Sequence, residues 1–190
     1  MIEVELKSVV DDWTLRRAAV ERAGGRLEFE GELEDRRYDR VDRSLASSDH
    51  VLRLRTYRSA TETRVELDWK GPTRCEDGYK LREEIGTSVG DGAVLAAMLG
   101  HLGYEVVTSI DRVIAQYALA GATVRFERYP RLDDLVEVEG EPACIERAIA
   151  ALGMPRDGYS TDRLSDFVAR YQARTGTSAA TCRAQLGPGG

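Results

Sequence analysis

Near the start of the chain, in MIEVELK, Glu3, Glu5 and Lys7 alternate with Ile2, Val4 and Leu6. Side chains of a strand alternate faces with a period of two, so the three charges share a face. The pattern recurs. Arg53 and Arg55 oppose Leu52 and Leu54 in VLRLRTY, and in RVELDWKG the residues Arg64, Glu66, Asp68 and Lys70 oppose Val65, Leu67 and Trp69. Lys80, Arg82 and Glu84 share a face in YKLREEI, as do Arg125 and Glu127 in VRFERY, and Glu137 and Glu139 in LVEVEG. Carboxylate clusters suit hard cations such as Mg²⁺ or Mn²⁺, which take oxygen ligands, while Arg and Lys suit phosphate oxygens.

Alternation alone leaves the direction of these faces open. For a single strand the ordinary arrangement puts charge in solvent and the apolar face in a core. Taken together, the charged faces hold carboxylates and guanidiniums with few neutral polar residues among them. That composition points to the other arrangement, an antiparallel barrel whose charged faces line a cavity. About eight strands enclose room for one small ligand. Such an interior must be wet and balanced, because removing a charge from water costs several kcal/mol per ion. The crowding further predicts that some of Glu3, Glu5, Glu137 and Glu139 titrate above the ordinary carboxylate range.

Helices must cover the apolar faces. DDWTLRRAAVERAGG reads as a helix with an Asp cap and a stop at Gly24 and Gly25. A second fits GDGAVLAAMLGHLGYE with Asp91 as cap; a third fits EPACIERAIAALGMP, with Pro142 in the first turn and Gly153 as stop; a fourth covers SDFVARYQAR. From residue 176 to 190 the chain is small, polar and Gly/Pro-containing, which predicts a mobile tail after a single domain spanning 1–175.

The formal charge of -6 argues against nucleic-acid binding through a broad basic surface. No apolar run reaches the roughly 18 residues of a membrane span, and the acidic N-terminus is unlike a signal peptide, so the expectation is a cytoplasmic protein without membrane contacts. Cys75, Cys144 and Cys182 are widely spaced and suggest neither disulfides nor a thiolate metal site. His50 and His101 lack a nearby ligand pattern, and the run Ser47-Ser48-Asp49-His50 is not a triad, which is a spatial arrangement. A homodimer fits a barrel with an exposed apolar helix face.

The charged segments, in order, resemble a known family. MIEVELK carries an ExExK signature and resembles the start of the CYTH family, the triphosphate tunnel metalloenzymes that include class IV adenylate cyclases and thiamine triphosphatases. Asp35-Arg36-Arg37-Tyr38-Asp39 is similar to the family's second strand, and Arg53 and Arg55 to its RxR strand. Asp68-Trp69-Lys70-Gly71-Pro72 is similar to the strand ending in Lys-Gly-Pro, Lys80, Arg82 and Glu84 to the KxRxE strand, and Arg125, Phe126, Glu127 and Glu137-Val138-Glu139 to the late acidic strands. The resemblance runs to about Tyr171 and implies an α+β fold: a closed antiparallel eight-stranded β-barrel, a tunnel, with flanking helices. It implies that Glu3, Glu5, Glu127, Glu137 and Glu139 hold Mg²⁺ or Mn²⁺. It further implies that Lys7, Arg53, Arg55, Lys70, Lys80, Arg82, Arg112 and Arg125 grip the phosphates of a triphosphate or polyphosphate. Two positions depart from the family pattern: Ile114 stands where a second basic residue follows Arg112, and Glu127 where Asp is usual.

The chemistry implied is phosphoryl transfer, which needs alignment and charge neutralisation more than covalent participation by protein. Hydrolysis of tripolyphosphate, thiamine triphosphate or a nucleoside triphosphate is the leading expectation, with Lys7 or a glutamate such as Glu5 as proton acceptor. Cyclisation of ATP to cyclic AMP and a non-catalytic polyphosphate- or nucleotide-binding module are the alternatives.

Overall fold

The structure, a computed structural model, describes residues 2–187. Nine strands form one antiparallel sheet: β1 (Ile2–Val9), β2 (Arg26–Arg40), β3 (Val51–Arg58), β4 (Thr63–Lys70), β5 (Arg74–Glu76), β6 (Tyr79–Val89), β7 (Tyr104–Leu119), β8 (Ala122–Arg128) and β9 (Leu135–Glu139). Their order is β1-β9-β8-β7-β2-β3-β4-β6-β5, and β1 also pairs with β6. That last pairing closes eight strands into a barrel and leaves β5 as a short outer strand. The expected eight-stranded closed barrel is therefore what the chain forms. The hairpin between β5 and β6 turns on Asp77 and Gly78, both at positive φ, as a tight two-residue hairpin turn requires.

The helices are α1 (Trp13–Arg22), the single turn α2 (Ser44–Ser47), α3 (Gly92–His101), α4 (Pro142–Leu152) and α5 (Leu164–Thr175). Asp12 caps α1 by accepting from the Leu15 N–H at 2.9 Å, and Asp91 caps α3 by accepting from Ala93 and Val94. α4 begins at Pro142 and stops at Gly153, whose φ of 66° is the left-handed helix end that glycine adopts without strain.

Strand alternation sorts the side chains. Leu6, Val124, Phe126, Val136 and Val138 face outward and form the main core with Val20 of α1 and Ile145, Ile149 and Leu152 of α4. A second layer joins Leu54 and neighbouring strand residues to Leu99 and Leu95 of α3, and a third seats Phe167 of α5 against Ile110, Tyr129 and Leu135. The first two clusters thus lie outside the barrel wall, under α1, α3 and α4, whereas the third packs α5 against inward-facing residues, since Ile110, Leu135 and Tyr129 share the parity of Arg112, Glu137 and Glu127.

At one end that interior turns apolar. Leu33 and Ile114 are fully buried and pack with Phe29 and Tyr57. Leu33 lies two residues from Asp35, Tyr57 two from Arg55 and Ile114 two from Arg112, so these side chains occupy the charged faces one step further along. They form a stopper on the β2–β3–β7 side.

The segment after Thr175, expected to be mobile, is instead pinned to the barrel as far as it is described. The Asp111 N–H donates to the Thr181 carbonyl at 2.8 Å, Arg131 and Ala180 exchange backbone bonds at 3.0 and 2.7 Å, and Ala180 and Cys182 are buried. Arg183 pairs with Glu32, and its N–H donates to Asp111. Small residues let this strip lie close against the wall. The end of the expected tail, 188–190, lies outside the described residues. No helix among the described residues is long and apolar enough to cross a membrane.

Candidate functional site

The charged faces of the strands look into the barrel. Glu3, Glu5, Asp35, Arg53, Arg55, Asp68, Lys70, Lys80, Arg82, Arg112, Arg125, Glu127 and Glu137 are all buried, although each is charged. A cavity of about 70 Å³ lies among them. Its charged lining comprises eight basic residues, Lys7, Arg37, Arg53, Lys70, Lys80, Arg82, Arg112 and Arg125, against three acidic ones, Glu5, Glu127 and Glu137. It widens outward, past Lys7, Arg37, Lys80 and Arg82, into a chamber of about 470 Å³ beneath α5.

Ion pairs tile the wall. Arg53 reaches Glu84 at 3.2 Å, Asp68 at 3.3 Å and Asp35 at 3.5 Å; Arg55 binds Asp68 at 2.5 Å; Arg112 binds Glu127 at 3.0 Å. Lys70 pairs with Glu3, Lys80 with Glu5, and Lys7 and Arg125 both pair with Glu137. Arg82 is fixed differently, donating to the Gly71 and Asp49 carbonyls at 2.7 and 2.6 Å.

Burial should raise buried carboxyls, and at Glu5, Asp35 and Glu127 the cations outweigh it. Against burial, Arg112, Arg125 and Lys7 hold Glu127 down at about 2, and Arg53, Arg37 and Arg112 hold Asp35 at about 2. Glu5 also lies well below its ordinary value: burial opposes this, but Lys7, Lys80 and Lys70 prevail. The upward shift expected for the crowded carboxylates therefore fails at Glu5 and is met at Glu139, which burial raises with Glu3 and Glu5 nearby. Burial pushes the Lys70 and Lys80 ammoniums down.

Three of the five carboxylates named for a metal converge. Glu3, Glu137 and Glu139 each bring one oxygen within 4.8 Å of the others. An all-oxygen donor set without His or Cys fits a hard divalent cation. Within the trio Glu3 is also paired with Lys70, and Glu137 with Lys7 and Arg125, so a cation there would take over oxygens now held by these pairs. Glu5 and Glu127 lie in the same cavity outside the trio, Glu5 closed on Lys80 and, at 3.6 Å, on Lys7, and Glu127 closed on Arg112 and accepting from the Tyr129 hydroxyl at 2.6 Å.

All eight basic residues of the expected phosphate set lie in the interior, and every one except Arg55 lines the cavity directly. Sequence reasoning left out Asp35, Arg37 and Tyr129. Arg37 lines both cavity and chamber, and Asp35 and Arg37 could have been found by parity, since both lie on one face of a strand whose partners Arg55 and Arg53 were already assigned inward. Tyr129, just past the end of β8, continues the parity of Arg125 and Glu127, but as an uncharged residue it did not stand out from the charged pattern. Ile114, the departure from the family pattern, fills the stopper.

Solved structures share this architecture. A Vibrio parahaemolyticus protein provisionally named an adenylate cyclase matches at a TM-score of 0.76 and 18% identity, over 89% of this chain and 98% of its own. The PH1819 protein of Pyrococcus horikoshii OT3 matches at 0.73 and 22%, over 88% and 98%. A Hippeastrum protein, provisionally named an adenylyl cyclase and reported with a dominant triphosphatase activity, matches at 0.62 and 15%, over 89% and 95%. No curated protein matches the sequence significantly. The sequence pattern of the CYTH domain, however, matches residues 1–147. A closed barrel with its charges turned inward and the matching domain pattern over most of its length together place this chain in the CYTH family.

Proposed function

We propose that the chain is a divalent-metal-dependent triphosphatase that hydrolyses a triphosphate-containing substrate held inside the barrel. The observation that carries this reading is the lining itself: eight cationic side chains against three carboxylates around a buried cavity. Carboxylates of the wall balance most of these cations, and so many ammonium and guanidinium donors gathered around one cavity match the oxygens of a polyanion. The triphosphatase activity reported for the Hippeastrum protein supports the choice of reaction.

Glu3, Glu137 and Glu139 would hold a Mg²⁺ or Mn²⁺ ion, which when bound neutralises phosphate oxygens and orients them. The chain supplies the rest. Arg53, Arg112 and Arg125, held by Asp35, Asp68, Glu127 and Glu137, align the phosphates and stabilise charge as it shifts to the leaving oxygen. Lys7, an ammonium between Glu5 and Glu137, can donate to and orient an attacking water, whose proton a neighbouring glutamate can receive. The wall excludes bulk water, which strengthens each of these contacts.

A second reading, cyclisation of ATP to cyclic AMP, is favoured by the name carried by the Vibrio neighbour. Incubation with tripolyphosphate, ATP and thiamine triphosphate plus Mg²⁺ or Mn²⁺ separates them. Released orthophosphate supports hydrolysis; pyrophosphate with cyclic AMP supports cyclisation. A raised melting temperature without turnover would leave only a binding module and refute the enzymatic reading. Action on a soluble triphosphate in the cytoplasm, without nucleic acid or membrane, belongs to the same proposal.

A further inference from the structure

On the outside of the barrel, α3 is apolar on every side. Between Asp91 and Glu105 the chain contains no Asp, Glu, Lys or Arg. A helix of that composition is ordinarily covered all round. α3 is covered on one side, where Leu99 packs on Tyr38 and Leu54, with Leu95 and Ala96 beside it. On its other side Val94, Met98 and Leu102 are 55, 54 and 66% exposed.

The exposed surface continues past the helix. Val106 of β7 pairs with Tyr38 and is 47% exposed. Val41 follows Arg40, the partner of Tyr104, which places it at the same end as Leu102; at 80% it is the most exposed large apolar side chain among the described residues. The Arg43–Glu105 ion pair, half exposed at both partners, forms a polar rim at that end. Single exposed apolar side chains are ordinary, but a contiguous patch with a polar rim marks an interaction surface.

The helix itself indicates what covers it. Val94, Met98 and His101 recur at i, i+4 and i+7, the seam spacing along which two helices pack, and the small Ala97 beside them permits close approach. Its ends differ in charge: the Asp91 carboxylate caps the first turn and His101 lies in the last. In an antiparallel pair the acidic end of each helix meets the His101 end of the other, and the two dipoles oppose. The patch therefore carries its own complement, as a two-fold contact between identical surfaces requires. A membrane-surface helix would instead carry Lys or Arg along its polar face, and α3 has neither.

We propose that a second copy of this chain covers the patch, with α3 packed antiparallel on α3 about a two-fold axis near Ala97. A contact built on one ten-residue helix lies at the small end of stable interfaces, so the dimer should dissociate on dilution. Sedimentation equilibrium of the full chain from about 1 to about 300 µM should show the mass rising from 21.1 kDa towards twice that value. Met98→Glu and Val94→Lys, both at exposed positions, should each weaken the association at least tenfold with melting curves unchanged at the lowest concentration. His101→Glu, which opposes like charges at both ends, should weaken it as well, and His101→Lys should not. Ala97→Cys, with the exposed Cys75 changed to Ser, should oxidise to a covalent dimer. A monomer at every concentration overturns the proposal, whether or not phosphatidylcholine vesicles then retain the chain through Met98. A dimer untouched by Met98→Glu and Val94→Lys places the contact elsewhere and overturns it too. An Ala97→Cys dimer that stays reduced overturns the antiparallel arrangement.

Discussion

Asp35 is the most constrained carboxylate in the barrel and gives the sharpest test of its electrostatics. It is fully buried, neither oxygen has a hydrogen bond, and Arg53, Arg112 and Arg37 surround it at 3.5, 3.8 and 3.9 Å. Asp35→Asn keeps the shape and removes the charge. Depression of the carboxyl from 3.8 to about 2 corresponds to roughly 2 kcal/mol of stability at neutral pH. Breaking a buried ion pair from one side costs about 3–5 kcal/mol, so a loss of roughly 2–5 kcal/mol is expected, about 5–15 °C in melting temperature for a chain of this size. The sign with pH follows from the lowered folded value. The stabilisation is complete above the unfolded value of 3.8 and is lost as pH falls towards 2, so the gap between wild type and variant narrows below about pH 4. A bound polyanion supplies the missing negative charge, so tripolyphosphate should raise the melting temperature more in Asp35→Asn than in wild type at the same concentration. Denaturant and thermal melts at pH 7 and pH 3, with and without tripolyphosphate, read all of this. A variant as stable as wild type at pH 7, with an equal response to ligand, would refute the picture of a carboxylate standing in for phosphate among these guanidiniums.

Glu139 carries a raised carboxyl in the convergent trio, so Mn²⁺ binding should release protons and tighten as pH rises through that value; identical calorimetric heats in buffers of different ionisation enthalpy would refute this. Replacing Glu3 by Gln should remove metal-dependent turnover, and restored activity at higher Mn²⁺ would show that its oxygen contributes affinity alone. Ile114→Lys, which restores the family's basic residue, should destabilise by about 2–4 kcal/mol because it places an ammonium in the apolar stopper; an unchanged urea midpoint would refute the stopper. Truncation after Thr175 should cost about 2–4 kcal/mol through its lost backbone bonds and the exposed wall, and unaltered thermal unfolding would show that the strip adds nothing.

The barrel was legible because its strands carry a period-two signal at both levels, apolar residues for the outer core and charges for the interior, in an order that matches one family. Helix ends were legible where a single residue decides them, as at Asp91, Pro142 and Gly153. What escaped depends on depth along a strand and on distant pairing. Glu5 and Glu3 look alike in sequence and each is closed on a lysine, Glu5 on Lys80 and Glu3 on Lys70, yet of the two it is Glu3 that joins the carboxylate trio, a difference set by barrel register. The strip containing Ala180 and Cys182 reads as a tail because its partners, Asp111 and Arg131, lie tens of residues away.

The ring is sealed by its first strand, which bonds to β9 on one side and β6 on the other. During synthesis, residues 2–5 can pair with 80–83 once β6 is made, but the ring cannot close until 135–139 have left the ribosome, so an amphipathic ribbon with two open edges persists until then. Contacts so remote in sequence slow folding, and the chain should lean on holding chaperones while it waits. A bulky fusion at the amino end would sit at the point of closure, whereas one at the carboxyl end would follow after the ring is shut.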